Sequence, residues 1–227
     1  MKNERHEELC LSLNDPETYQ AYLGLAPTES LGLLPRLAGS LLVICGNLVY
    51  GKEPSYGKFK AVEVIARIPY QSWEVATYML LTLGYSDEQK AIRLSETSRF
   101  SRLAQDNETM HVVVLSQLAK RYGQDSLLRH TFIPVLFSFF YFSAGFLLYL
   151  MKPRWSFQLN YLFESHALSQ YQGFLDREGE RLRHTSIQMD FLDFYGRHVK
   201  SEYELFLSIR NDELIHRNQS AKSAAQA

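Results

Sequence analysis

Two stretches of this chain place a glutamate three residues before a histidine: Glu108 and His111 in "DNETMHVVVL", and Glu213 and His216 in "RNDELIHRNQ". On an α-helix that spacing sets carboxylate and imidazole on one face, a turn apart. One such pair is ordinary in a chain with 17 Glu and 7 His, and no other Glu has a His three positions on. Two pairs are half of a metal geometry. A four-helix bundle holds two metal ions with a Glu-x-x-His from each of two helices and a lone Glu from each of two others. Oxygen-rich ligation with imidazole suits iron.

The lone glutamates are present too. Glu63 in "KFKAVEVIARIPY" lies among Val62, Val64, Ile65 and Ala66, and Glu164 in "LNYLFESHALSQY" is flanked by Leu162, Phe163 and Ala167. A carboxylate in such surroundings is costly unless something compensates it. The order along the chain is Glu, Glu-x-x-His, Glu, Glu-x-x-His. A plainer reading stands beside this one: Glu63 pairs with Lys58, Lys60 or Arg67 on a helix surface, and Glu164 faces solvent beside His166. Glu74, Glu96, Glu202 and Glu204 are rival carboxylates in weaker surroundings. Glu96 in "LSETSRFSR", and Glu202 and Glu204 in "KSEYELF", read as solvent-facing.

The elements that must position these residues are helical almost throughout, with little strand-like alternation and no internal repeat. Helices are predicted over roughly 28–50, 58–83, 87–122, 126–151, 154–184 and 188–218. "GKEPSYGK", "LGYSDEQ", "RYGQD" and "KPRWS" separate them, with Ser86 or Asp87 as the cap of the third. Residues 1–27 form a polar lead-in with turns at Asn14-Asp15-Pro16 and Pro27. Residues 28–218 form one helical domain, and 219–227 a disordered tail low in apolar content. The expected fold is all-α, a helical bundle.

Composition narrows the function. With 24 basic and 25 acidic residues in 227, net charge −1, a nucleic-acid role has no electrostatic support. Cys10 and Cys45 are too few for a disulfide framework or a thiolate metal site, and read as reduced thiols of a cytosol-facing protein. The opening "MKNERHEELC" resembles neither a signal peptide nor a transit sequence. Thr131 to Met151 runs 21 residues without a charge, and Leu37 to Gly51 runs fifteen. Each stretch fits a membrane-spanning helix, a buried core helix, or a helix lying in the membrane interface.

Taken together, "VEVIARIPY", "NETMH", "ESHALSQYQGFL" and "IRNDELIH" resemble, in that order, the alternative oxidase family, and within it the plastid terminal oxidase branch. The resemblance covers about residues 36–218. It implies a ferritin-like four-helix bundle with a di-iron centre and two additional membrane-surface helices. The implied activity is that of a membrane-bound quinol oxidase, coupling oxidation of plastoquinol or ubiquinol to four-electron reduction of O2 to water without proton pumping. Two iron ions are the implied cofactor. The implied metal ligands are Glu63, Glu108, Glu164 and Glu213, with His111 and His216 as ligands or close neighbours. Asn107 and Asp212 resemble the family's hydrogen-bonding support, and Tyr171 its tyrosine beside the metals.

Arg36, Lys58, Val62 and Ala167 are the implied quinol contacts. Lys58 stands where the family usually has Arg, which weakens a forked hydrogen bond to a quinone oxygen. The apolar helices around Leu31–Tyr50 and Thr131–Met151 are then expected to lie on one leaflet without crossing it. The expected location is the cytoplasmic face of a bacterial inner membrane or a thylakoid membrane, in a compact bacterial or phage-type member. A homodimer fits this reading. A di-iron oxygenase acting on a hydrophobic or lipid substrate, and a non-enzymatic membrane scaffold or metal store, are the competing functions.

Overall fold

In the computed structural model, residues 4–25 and 31–227 are described, and the chain is an all-α bundle. The helices are α1 (Glu4–Ser12), α2 (Pro16–Leu23), α3 (Leu33–Tyr50), α4 (Tyr56–Ala66), α5 (Ile68–Thr82), α6 (Glu88–Arg121), α7 (Ile133–Met151), α8 (Pro153–Arg183), α9 (Asp190–Tyr195) and α10 (Glu202–Gln226). A π-helical turn, Leu128–Phe132, leads into α7. Among the described residues, β pairing is limited to one bridge, Ser186 to Ser201, which closes the loop around α9.

Local chemistry sets the boundaries. Asp87 caps α6 by accepting from the Lys90 amide at 3.0 Å, as expected. The predicted helix 58–83 is instead two helices, broken at Arg67. Pro69 starts the second, because its missing N–H is harmless only in a first turn. The predicted helix 188–218 is likewise two: Gly196, with φ 91°, ends α9 in the left-handed conformation that glycine adopts most easily.

Both ends of the chain depart from expectation. The lead-in contains α2, capped by Asp15 through the Thr18 amide at 2.9 Å with Pro16 in the first turn. It also contains α1, whose Cys10, with Leu13 just after the helix, packs on Leu168, Leu214 and Ile215. The expected boundary between lead-in and domain, at 27–28, lies outside the described residues. The expected disordered tail is helical through Gln226, because small residues seat it in the bundle. Ser220, Ala221 and Ala224 are buried, and Ser220 Oγ accepts from Asn160 Nδ2 at 3.0 Å.

α4, α6, α8 and α10 surround the carboxylates. α8 lies along α10, and α6 packs on α4 and α5. Phe59, Met110, Val114, Tyr171, Phe174, Phe206 and Ile209 form the apolar core beside them. α3 packs on α8, and α7 on α4, α5 and α8. Gly145 permits the α7–α5 approach: a Cβ there would sit 2.8 Å from Ser72 Oγ. The outer faces of both flanking helices are bare. Leu33, Leu37, Leu41, Ile44 and Leu48 line one side of α3, and Val135, Leu136, Phe139 and Phe140 one side of α7. Both helices are long and apolar enough to cross a membrane.

Candidate metal centre

α4 contributes Glu63, α6 Glu108 and His111, α8 Glu164, and α10 Glu213 and His216. All six are buried, none more than 2% exposed. The surface-pairing reading of Glu63 and Glu164 therefore does not hold. The six form two overlapping groups. Glu63, Glu108, His111 and Glu213 can each bring one ligand atom within 4.8 Å of the others, and so can Glu108, Glu164, Glu213 and His216. The shared pair, Glu108 and Glu213, are the glutamates of the two Glu-x-x-His turns. Each group has the residue types of a carboxylate–histidine metal site, and Glu108 and Glu213 belong to both.

The lone glutamates are held differently from the shared ones. Tyr171 Oη donates to Glu63 Oε1. Tyr70 Oη donates to Glu164 Oε1 at 2.8 Å and accepts from Asn160 Nδ2 at 3.1 Å. By contrast, Glu108 Oε1, both Glu213 oxygens, Glu164 Oε2 and both His216 ring nitrogens are buried without a hydrogen bond. His216 Nδ1 lies 2.8 Å from Glu108 Oε1, yet the two are not aligned as donor and acceptor. Buried polar atoms are rarely left so, and each orphan costs about 1–3 kcal/mol. Lone pairs converging on common points, with nothing there to receive them, fit metal ions.

His111 is fixed from outside the cluster. Its Nε2 meets Asp212 Oδ2 at 3.0 Å, while Nδ1 lies 3.3, 3.2 and 3.4 Å from oxygens of Glu63, Glu108 and Glu213. Asn107 Nδ2 also donates to Asp212 Oδ2, at 3.2 Å, and to Tyr195 Oη at 3.1 Å. A histidine tied to a carboxylate by one nitrogen and facing a cluster with the other is the usual support of a metal-ligating imidazole. Asp212 Oδ2 thus joins Asn107 to His111.

Electrostatics agree. Burial, and then Glu108, push Glu63 up to about 8 against the pull of His111. Burial and its carboxylate neighbours raise Glu213 well above the ordinary range, and burial raises Glu164. Burial also opposes ionisation of Glu108, but His111 and His216 outweigh it and hold its carboxyl low. Burial alone would lower His111; Glu108 and Asp212 reverse that and raise it well above its usual value. Four carboxylates share two imidazoles, and the cluster is short of positive charge. Divalent cations would supply it.

Beside the cluster a partly open apolar cleft, with a cavity volume of only about 40 Å³, runs between α3, α4, α7 and α8. Val62, Lys58 and Ala167 line it, together with Asn47, Phe163 and His166. Arg36 does not; it is exposed on α3. Lys58 Nζ is committed to Asn47 Oδ1, Gly51 O, Lys52 O and Gln170 Oε1 at 2.8–3.2 Å, so it clamps the end of α3 to α4 and α8. Glu96 and Glu204 are exposed as expected. Glu202 is not: it is fully buried and accepts from Tyr56 at 2.5 Å and Tyr122 at 2.7 Å, because the first turn of α10 faces inward. Sequence reasoning missed Tyr70, although it closes the block "VEVIARIPY". It also missed His6, Glu7 and Arg197, which carry no local signal.

The profile of the alternative oxidase family matches residues 47–225. The chain is similar to ubiquinol oxidase 4, chloroplastic/chromoplastic, of Arabidopsis thaliana, with 24% identity over 200 residues. The match covers 79% of this chain and 54% of the relative, so the chain spans about half the length of the curated relative it matches. No solved structure gives a significant match. The profile match covers all six clustered residues and most of the chain, and on that ground the chain belongs to the alternative oxidase family.

Proposed function

We propose that this protein is a membrane-bound quinol:oxygen oxidoreductase, oxidising quinol to quinone and reducing O2 to water without pumping protons. The observation that carries this reading is the pair of overlapping buried ligand groups sharing Glu108 and Glu213, next to an apolar cleft. Glu63 and His111 would hold one iron, Glu164 and His216 the other, with Glu108 and Glu213 common to both. When bound, the iron pair supplies the electron transfer between quinol and dioxygen that no side chain here could sustain alone.

The chain does the rest. Val62, Phe163 and Ala167 exclude water from the headgroup. Asn47 and His166 offer it hydrogen bonds; burial, and then Lys58, keep His166 below its ordinary pKa, so its neutral ring accepts a quinol proton at neutral pH. Lys58 contributes by locking the α3 end of the cleft. Tyr171 holds a phenolic proton on Glu63 and is the residue we assign to proton and electron delivery at the cluster. Leucine and phenylalanine rows on α3 and α7 support binding to one leaflet, since the opposite edge of each helix is occupied by the bundle. On this reading a quinol enters the cleft from lipid.

Oxygen uptake by membranes carrying the iron-loaded protein, with ubiquinol or plastoquinol and with cyanide, tests the proposal. Quinol-dependent, cyanide-insensitive uptake is expected, with 18O2 label recovered in water. Label recovered in an organic product instead would favour the oxygenase, and absence of any quinol-dependent uptake would refute the oxidase.

A further inference from the structure

The N-terminal helix reaches the candidate metal centre itself. The face of α1 that seats Cys10 against α8 and α10 carries His6 and Glu7 one turn earlier. His6 Nε2 lies 2.8 Å from Asp212 Oδ1. The Glu7 carboxylate accepts from Arg197 Nη2 and Nε at 2.7 and 2.9 Å. Arg197, 3% exposed and immediately after the left-handed Gly196, donates Nη1 to Asp212 Oδ2 at 2.9 Å and Nη2 to Asp212 Oδ1 at 3.2 Å. The His6 ring also lies 5.8 Å from that of His216.

Asp212 is therefore held on both oxygens from the side away from the carboxylate cluster, while Oδ2 alone receives His111 and Asn107. Held by one partner, a carboxylate turns about its last torsion. Held by a planar arginine fork, it cannot turn without breaking two charge-assisted bonds. The fork is in turn fixed by Glu7, 190 residues away in sequence. A buried ion pair of this kind adds little net stability compared with apolar packing. Its distinctive effect is orientation.

We propose that His6, Glu7 and Arg197 are positioning residues of the metal centre: they lock Asp212 so that His111 Nε2 stays on it and Nδ1 stays turned to Glu63, Glu108 and Glu213. Helix α1 is then a part of the site rather than a lead-in. This rests on the metal reading above.

Full-length protein, purified metal-free in detergent, is titrated with Co2+ and followed by its visible ligand-field absorption and by circular dichroism. Partners behind a ligating histidine commonly govern metal affinity by about 10–100-fold. Arg197→Gln is expected to weaken Co2+ binding by about that factor and to shift the absorption band, with helical content retained. His6→Ala and Glu7→Gln should weaken it less, and Arg197→Lys should restore part of the loss. Folded variants with unchanged Co2+ affinity and band overturn the proposal, even if they melt earlier. Should Arg197→Gln fail to fold, His6→Ala decides, because that side chain is 11% exposed at the rim of the network. A wild-type protein that binds no Co2+ overturns the metal reading and this inference together, an outcome distinct from wild-type binding that the variants leave unchanged.

Discussion

Replacing Glu63 by glutamine should stabilise the metal-free protein at alkaline pH while destroying its metal centre. Burial and Glu108 hold the Glu63 carboxyl protonated up to about 8, against an ordinary 4.5. A folded-state pKa above the unfolded one means that the unfolded chain releases its proton first as pH rises. The stabilising contribution is thus complete below pH 4.5 and is lost as pH climbs through about 8. At about 1.36 kcal/mol per pH unit, the whole window is worth about 5 kcal/mol, and the interval from pH 5.5 to 8 about 3 kcal/mol. Against a total stability of about 5–15 kcal/mol, that is a large share.

Glutamine keeps the shape and can still accept from Tyr171 through its carbonyl, but has no proton to lose. The assay is urea unfolding of the EDTA-treated protein in detergent at pH 5.5 and 8.5, followed by helical circular dichroism. The wild type should lose about 3 kcal/mol more than Glu63→Gln between the two pH values. That equals a difference of about 1–1.5 M in urea midpoint for an m-value of about 2–3 kcal/mol/M. Saturating Fe2+ or Mn2+ should abolish the wild-type loss. Equal losses in both proteins would refute the reasoning, since the carboxyl would then not be held protonated by its burial.

Three further outcomes follow from the geometry. Because Glu108 belongs to both ligand groups and Glu164 to one, Glu108→Ala should bind a tenth or less of the wild-type iron, and Glu164→Ala about half, by elemental analysis. Tyr171→Phe should cost about 1 kcal/mol of stability for one lost hydrogen bond and keep its iron, yet lose quinol-dependent oxygen uptake by about 10-fold or more; retained uptake would remove Tyr171 from the mechanism. Gly57→Ala should destabilise the protein by about 1–3 kcal/mol in denaturant, because the new Cβ would sit 2.5 Å from the Gln124 carbonyl oxygen, a backbone atom that cannot turn aside.

The helices that carry the buried carboxylate–histidine cluster were legible in the sequence because their signals are local. A three-residue spacing fixes Glu108 with His111, and Glu213 with His216, on one face whatever surrounds them. The apolar neighbours of Glu63 and Glu164 mark those carboxylates as buried. Break points were less legible. Arg67 and Gly196 end helices by local chemistry that a long apolar periodicity conceals, and Ser220, Ala221 and Ala224 look like a fraying tail until a bundle surface is there to receive them.

By itself, then, the sequence determined which carboxylates and imidazoles share a helix face and in what order they come, since helix periodicity and side-chain type are properties of short stretches. Tertiary packing decided what those residues do to one another. It made Glu108 and Glu213 the shared pair and gave each lone glutamate its tyrosine. It also enclosed the Lys58 ammonium among four oxygens, buried Glu202 under two phenols and brought His6 onto Asp212 across 206 positions. Contacts over such separations depend on where whole helices lie against each other, and no local pattern encodes that.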